Sequence, residues 1–163
     1  MKINMPIKTV SARATIIKAW LIAGTLDILS AITHYSLKTG KNPFKVLSFV
    51  AGGIFGKESF TGGAAMAVAG LFFHYLIAFI WTIFFFLIYP RINSLIKSTV
   101  VVGLLYGIFV WAFMNFIVVP MSALPPSKFN ISNAVIAMLI IMFAVGLPIS
   151  IIVSKFYRQK IKG

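Results

Sequence analysis

Four long runs of apolar residues, separated by short basic or proline-containing segments, are the main pattern along the chain. The runs cover about residues 14–35, 64–89, 98–119 and 133–153. Each is close to the roughly 20 apolar residues that a helix needs to cross the hydrocarbon core of a bilayer. The first run is longer than the apolar core of a cleaved signal peptide, so we expect it to be retained. The pattern predicts an all-α integral membrane four-helix bundle, with residues 1–163 forming a single transmembrane domain.

Residues 43–57 are also apolar, but they differ from the four runs. The stretch "PFKVLSFVAGGIFG" is interrupted by Gly52 and Gly53, and it has only about half the length that a spanning helix requires. We expect an interfacial or shallow re-entrant segment between the first two spanning helices. Its glycines resemble those of a phosphate-binding loop, but Ala51 and Glu58 stand where that motif needs a glycine and a hydroxyl. The phosphate-loop hypothesis is therefore rejected.

Prolines and polar residues predict where the spanning helices begin and end. Pro90 predicts the end of the second helix and Pro120 the end of the third, because proline has no backbone N–H to donate. Pro148 is followed by further apolar residues and predicts a kink instead. Ser132 or Asn133 can cap the start of the fourth helix.

The composition indicates a membrane protein and names the lipid bilayer as its partner. Hydrophobic residues make up 60% of it and charged residues 10%, and 15 Lys and Arg against two acidic residues give a net charge of +13. In a soluble protein this charge would indicate nucleic-acid binding. Here the cations flank apolar runs, so we expect contacts with anionic lipid head groups of the bilayer and no nucleic acid. The absence of cysteine excludes disulfides and thiolate metal sites.

The distribution of basic residues predicts the orientation. Ten Lys and Arg residues lie on the side of the two chain termini and five on the opposite side. Since cytoplasmic segments carry the excess of positive charge, we expect both termini in the cytoplasm.

Asp27 and Glu58 are the only carboxylates, which excludes most hydrolytic and two-metal chemistry. Asp27 lies within the first span, where a carboxylate costs about 2.5–3.5 kcal/mol on insertion scales. Two interpretations remain open. Asp27 is either a neutral, hydrogen-bonded group that fixes helix packing or a group that binds a proton or cation.

Two histidines lie close to Asp27 in the predicted bundle. Asp27, Ser30 and His34 are spaced three and four residues apart, so they share one face of the first helix. His74 in the second span lies at a depth similar to that of Asp27, about 12–15 Å from the outer boundary by helical rise. We expect the carboxylate and this imidazole to meet. Asp27, His34, His74 and Asn115 together form the predicted intramembrane polar cluster.

Asn115 is assigned to this cluster from its spacing along the third span alone. It follows Gly103 and Gly107 on one face of the third span, where small residues let helices approach closely and amides bond across them. Haem ligation by two histidines is a further possibility in principle, but His34 and His74 differ in depth by roughly 12 Å. We therefore expect no cofactor and no metal.

Two stretches of the chain are "YPRI" at 89–92 and "GLLYGIFVWAFMNFIVVPMSALPP" at 103–126. Through them part of the chain, mainly residues 70–126, resembles the YagU-like family of small bacterial inner-membrane proteins. The similarity consists of a histidine-bearing span, an aromatic-Pro-basic-Ile turn, a helix with paired glycines and a polar residue, and a proline-rich exit. The resemblance implies a bacterial inner-membrane location and a four-helix plan, and it implies no activity.

The sequence therefore predicts a small membrane protein that handles protons or a small solute through its polar cluster. The alternative is a non-catalytic structural or assembly subunit, in which the same groups only specify helix contacts. We do not expect an enzyme, because no nucleophile, base and acid stand together. Four helices enclose little volume, so a transport role favours a homo-oligomer.

Overall fold

The computed structural model describes residues 11–126 and 130–162, and all regular structure within them is helical. Helices α1, α2 and α3 comprise Ala12–Thr39, Phe44–Phe55 and Gly63–Leu95. A short 3-10 helix, Gly56–Phe60, joins α2 to α3. Helix α4 consists of Thr99–Phe113, a π-helical turn Met114–Val118, and Val119–Met121. Helix α5 consists of Ile131–Ile141, a π-helical turn Met142–Gly146, and Leu147–Lys162.

Helices α1, α3, α4 and α5 are each long and apolar enough to cross a membrane. The chain is therefore a multi-pass membrane protein, and the predicted all-α four-helix bundle is confirmed. Successive long helices run in opposite directions. We call the end of the bundle near Thr39, Gly63 and Ile131 the distal end, and the end near Ala12 and Leu95 the proximal end. Helix α1 packs against α3 and α5, and α4 packs against α5.

The prediction that Pro90 ends the second span is wrong, because α3 continues to Leu95. Proline cannot donate to the carbonyl four residues before it, which here belongs to Phe86. The hydroxyl of Tyr157 in α5 donates to this carbonyl oxygen at 3.0 Å. A donor from another helix thus replaces the missing backbone N–H, and the helix is not interrupted.

Pro120 and Pro148 each follow a π-helical turn. Just before each proline, a backbone N–H donates a hydrogen bond to the carbonyl oxygen five residues earlier. These bonds run from Val119 to Met114 and from Leu147 to Met142. The wider turn moves the carbonyl that would clash with the proline ring. Helix α5 continues past Pro148, as predicted, and α4 ends one residue after Pro120.

The predicted contact face of Gly103 and Gly107 is confirmed. A Cβ atom on Gly107 would lie 2.5 Å from the Cα of Met142, and one on Gly146 would lie 2.1 Å from the carbonyl oxygen of Gly103. The backbones of α4 and α5 are therefore in direct contact, as small residues allow in membrane bundles.

Asn130, not Ser132 or Asn133, caps helix α5. Its side-chain oxygen accepts a hydrogen bond from the backbone N–H of Asn133 at 3.0 Å. The predicted caps lie two and three residues too late, and the side chain of Asn133 instead accepts a hydrogen bond from Lys38 of α1.

The predicted interfacial segment forms helix α2, whose 12 residues are too few to span a bilayer. One face of it is buried, at Leu47, Ser48, Ala51 and Gly52. This face lies on α3 at Gly70, where a Cβ atom would be 1.9 Å from the carbonyl oxygen of Leu47. Only glycine permits this approach, so Gly70 is what allows α2 to dock.

The two halves of the bundle are packed differently. The proximal half holds the main core, which includes Phe85, Tyr89, Tyr106 and Ile149. The ring centroids of Phe85 and Tyr106 are 4.5 Å apart. The distal half contains cavities, and the predicted polar residues lie there.

Candidate functional site

A cavity of about 790 Å³, here called the distal cavity, lies between α1, α2, α3 and α5. Most of its wall is apolar. Its polar lining residues are Asp27, His34, Tyr35, Lys38, Thr39, Lys45, His74 and Asn133. The two lysines are exposed at its mouth, and Asp27 and His74 lie at its floor.

A second cavity of about 210 Å³, here called the inner cavity, continues between α2, α3, α4 and α5. Asp27 and His74 line both cavities. They therefore stand at the junction of the two. Trp81 also lines the inner cavity, and its carbonyl oxygen accepts a hydrogen bond from the Tyr106 hydroxyl at 2.6 Å. The aromatic core thus begins directly beyond this cavity.

His74 is held by a hydrogen bond between helices. Its Nε2 lies 2.8 Å from the carbonyl oxygen of Gly24, and the side chain is buried. A carbonyl can only accept, so Nε2 carries a proton and donates it. The other ring nitrogen, Nδ1, is left to accept a hydrogen bond or to take a second proton.

Asp27 lies one turn after Gly24 on α1 and is partly exposed to the cavities. Its carboxylate makes no hydrogen bond or ion pair with any residue in the described part of the chain. Asp27 lines both cavities together with His74. The structure therefore brings the predicted pair together, but the imidazole bonds to the backbone beside Asp27 and not to its carboxylate.

The two groups lie at similar depths, as predicted, although both are deeper than the predicted 12–15 Å when counted from the helix ends. Asp27 lies twelve residues from the distal end of α1 and His74 eleven from that of α3. At 1.5 Å per residue these positions are about 16–18 Å from the helix ends. Both therefore lie near the middle of a spanning helix.

His34 lines the distal cavity between its floor and its mouth. It is seven residues after Asp27 on the same helix face, about 10 Å away along the axis. Ser30, which the spacing also placed on this face, does not line the cavity, whereas Ala31 does.

Asn115 lies apart from Asp27, His34 and His74. Its side chain is exposed and its Nδ2 donates to the carbonyl oxygen of Trp111 in the same helix at 2.8 Å. The π-helical turn Met114–Val118 changes the helical register at this position, so the spacing from Gly107 no longer predicts the face. The structural cluster is therefore Asp27, His34 and His74.

Five polar residues that line the cavity were not selected from the sequence: Tyr35, Lys38, Thr39, Lys45 and Asn133. Lys38 continues the face of Asp27 and His34 by one more turn, and this spacing could have identified it. Its Nζ donates to the side-chain oxygen of Asn133 and so joins α1 to α5 across the mouth. Lys45 and Asn133 come from other helices, and no local pattern points to them.

The arrangement combines cationic groups at an open mouth, apolar walls and an ionisable floor. Within residues 11–126 and 130–162, no group of three or more His, Cys, Asp or Glu side chains could hold a metal ion. The floor can take up or release a proton through the carboxylate or through Nδ1 of His74.

No family model, curated protein or solved structure matches the chain. The resemblance to the YagU-like family therefore stays a prediction. The function proposed below is argued from the geometry of the site.

Proposed function

We propose that the protein binds and transfers protons or a small solute through the distal cavity. The observation that carries this proposal is the position of Asp27, which has no bonding partner among the described residues and faces both cavities beside His74. Ionisable groups within a span are costly, and they commonly mark ion or proton routes. A carboxylate that served only helix packing would have a partner in a neighbouring helix.

The route that we propose runs from the distal mouth to Asp27 and His74, and then into the inner cavity. Beyond it, the core around Phe85 and Tyr106 closes the proximal half. Passage to the proximal side therefore requires a rearrangement. The two π-helical turns contribute Met114 and Val145 to the inner cavity wall. We propose that these turns move, because π-helical turns are frequent at functional sites.

We place the protein in the bacterial inner membrane with both termini in the cytoplasm. The support is the excess of Lys and Arg at the proximal end, where these side chains would contact anionic lipid head groups. Reporters fused at Gly163 and within residues 38–45 are expected on opposite sides of the membrane. If both report the same side, this orientation and the four-span topology are wrong.

A non-catalytic assembly role is the second candidate, and Asn115 favours it. This amide is exposed on the outside of α4, next to the exposed side chains of Phe116 and Ile117. Its side-chain oxygen accepts no hydrogen bond from the described residues. A polar group on a surface that faces lipid is suited to a contact with another helix, and a second copy of this chain would supply one.

Flux into liposomes distinguishes the two candidates. Purified protein would be reconstituted in liposomes, and proton uptake driven by a potassium diffusion potential would be followed with an internal pH dye. We expect uptake above that of protein-free liposomes, loss of the excess in Asp27→Asn, and retention of it in the matched control Asn115→Ala. If the unmodified protein gives no excess for protons or for small test solutes, the assembly role becomes the better account.

A further inference from the structure

We infer that the distal cavity binds a single-chain amphiphile with an anionic head group, of the fatty-acid kind. The inference rests on the proposed function, since it takes the same cavity as the site, and it names the class of substrate. It depends on three properties of the cavity: the charge at its mouth, the chemistry and length of its walls, and the carboxyl and imidazole groups at its floor.

The mouth is positively charged. Lys38 and Lys45 come from α1 and α2, and both are exposed where the cavity opens. Neither forms an ion pair within the described part of the chain. The ammonium of Lys38 is held by Asn133 and has two further donors. An anionic head group placed between these lysines would find donors without displacing an existing ion pair.

The walls below the mouth are suited to an alkyl chain. Phe49, Val50 and Ile140 are among the apolar side chains that line them. The cavity volume of about 790 Å³ is within the range of small-molecule sites. Lys38 is eleven residues from Asp27 on the same helix, which is about 16 Å at 1.5 Å per residue. This is close to the length of an extended dodecyl chain.

The floor fixes the orientation of the bound molecule. An anionic group at the floor would be buried beside the carboxyl group of Asp27 with no lysine to pair with, and burial of an unpaired charge is costly. The head group therefore stays at the lysines and the chain points towards Asp27 and His74. A cationic amphiphile would bind the opposite way, with its head at Asp27, so the sign of the preferred head group tests the assignment.

The experiment compares three probes that share a dodecyl chain and differ in head group. They are dodecanoate, dodecanol and dodecyltrimethylammonium. Equilibrium binding of each radiolabelled probe would be measured with protein in phosphatidylcholine nanodiscs, and binding to protein-free nanodiscs would be subtracted. We expect dodecanoate to bind roughly tenfold more tightly than either other probe, the scale of one charge-assisted hydrogen bond.

Variants test which residues set that preference. Lys38→Ala combined with Lys45→Ala is expected to remove the preference for dodecanoate. The matched control, Lys41→Ala combined with Lys57→Ala, removes two exposed lysines that do not line the cavity and should leave it unchanged. Ala137→Phe, which fills part of the wall, is expected to weaken all three probes in protein that still melts cooperatively.

Besides a failure of dodecanoate to bind, two results would overturn the inference. One is equal or tighter binding of dodecyltrimethylammonium, which would assign the charge preference to Asp27. The other is a preference for dodecanoate that survives loss of Lys38 and Lys45. Proton or solute flux without dodecanoate binding would reject the substrate class and leave the proposed function standing. Dodecanoate binding without flux of any kind would support the site and reject the proposed transfer.

Discussion

The Nε2 atom of His74 in α3 lies 2.8 Å from the carbonyl oxygen of Gly24 in α1 and donates a hydrogen bond to it. This bond joins two spanning helices near the middle of their length. It fixes the orientation of the imidazole and leaves Nδ1 as the ring atom that can exchange a proton. It also places the ring one helical turn from Asp27. The candidate site is therefore organised by a backbone carbonyl, and the carboxylate stays free to face the cavities.

The first prediction is that Asp27 and His74 are energetically coupled. Both line the same two cavities, and the imidazole of His74 bonds to the backbone of α1 one turn before Asp27. Neighbouring groups of this kind give non-additive effects on stability. Asp27→Asn and His74→Ala, made singly and together, should therefore show a coupling of about 0.5 kcal/mol or more in thermal unfolding in detergent.

The control for this cycle pairs Asp27→Asn with Asn115→Ala, since Asn115 lies outside both cavities. These two changes should be additive. Additive losses for Asp27 and His74 as well would show that the two side chains act independently, and the floor of the cavity would then not be a functional pair.

The second prediction concerns the proline inside α3. Tyr157→Phe removes the hydroxyl that donates to the carbonyl oxygen of Phe86, and we expect it to lower the free energy of unfolding by about 1 kcal/mol. In a Pro90→Ala background, the backbone N–H at position 90 can donate to the same carbonyl. The cost of Tyr157→Phe should then be smaller. An equal cost in both backgrounds would contradict the account of why α3 continues past Pro90.

The third prediction is that Gly70 holds α2 against α3. A Cβ atom at this position would lie 1.9 Å from the carbonyl oxygen of Leu47, so Gly70→Ala should displace α2. A cysteine at Ala51, which is 0% exposed, should react slowly with a thiol reagent in the otherwise unmodified chain. It should react quickly when Gly70→Ala is added.

A cysteine at Ile54 provides the comparison for α2, because this residue is 58% exposed on the same helix. It should react quickly with and without Gly70→Ala. If the cysteine at Ala51 stays protected in the Gly70→Ala protein, α2 is held by other contacts and Gly70 does not decide its position.

The four spanning helices could be predicted from the sequence because their signal is local. A run of about 20 apolar residues has few alternatives in a bilayer. The close helix contact at Gly103 and Gly107 was predictable for the same reason, since the spacing of small residues lies within one helix, but this spacing does not identify α5 as the partner. The predicted positions of the helix ends were less accurate. Pro90 has its compensating donor on Tyr157, a residue far along the chain that no local rule connects to it.

Part of the candidate site could be predicted from the sequence. Each residue that was misplaced or missed has a physical reason. Asp27 and His74 were found because ionisable residues are rare within spans and their depths follow from helical rise. Asn115 was misplaced because the spacing rule assumes a regular α-helix, and α4 contains a π-helical turn there. Lys38 and Lys45 were assigned only to lipid contacts, the usual role of lysine near a span end. Their position at a cavity mouth depends on how α2 docks.

Asp27 and His74 lie at the floor of the distal cavity, and we infer that this cavity is open to the distal side. The chain has no cysteine, so single cysteines can be introduced without background reaction. Ala31 and Leu29 lie between Asp27 and His34 on α1. Ala31 lines the distal cavity, whereas Leu29 is 54% exposed on the outside of the bundle, where lipid would cover it. Thiols in apolar surroundings stay protonated and react slowly.

The most direct test is the rate at which a membrane-impermeant thiol reagent, added from the distal side, modifies each cysteine in reconstituted protein. The account predicts rapid modification of the cysteine at position 31 and little or none at position 29. Prior addition of dodecanoate should slow the reaction at position 31. Equal rates at the two positions, or faster modification at position 29, would contradict the existence of an open cavity above Asp27 and His74.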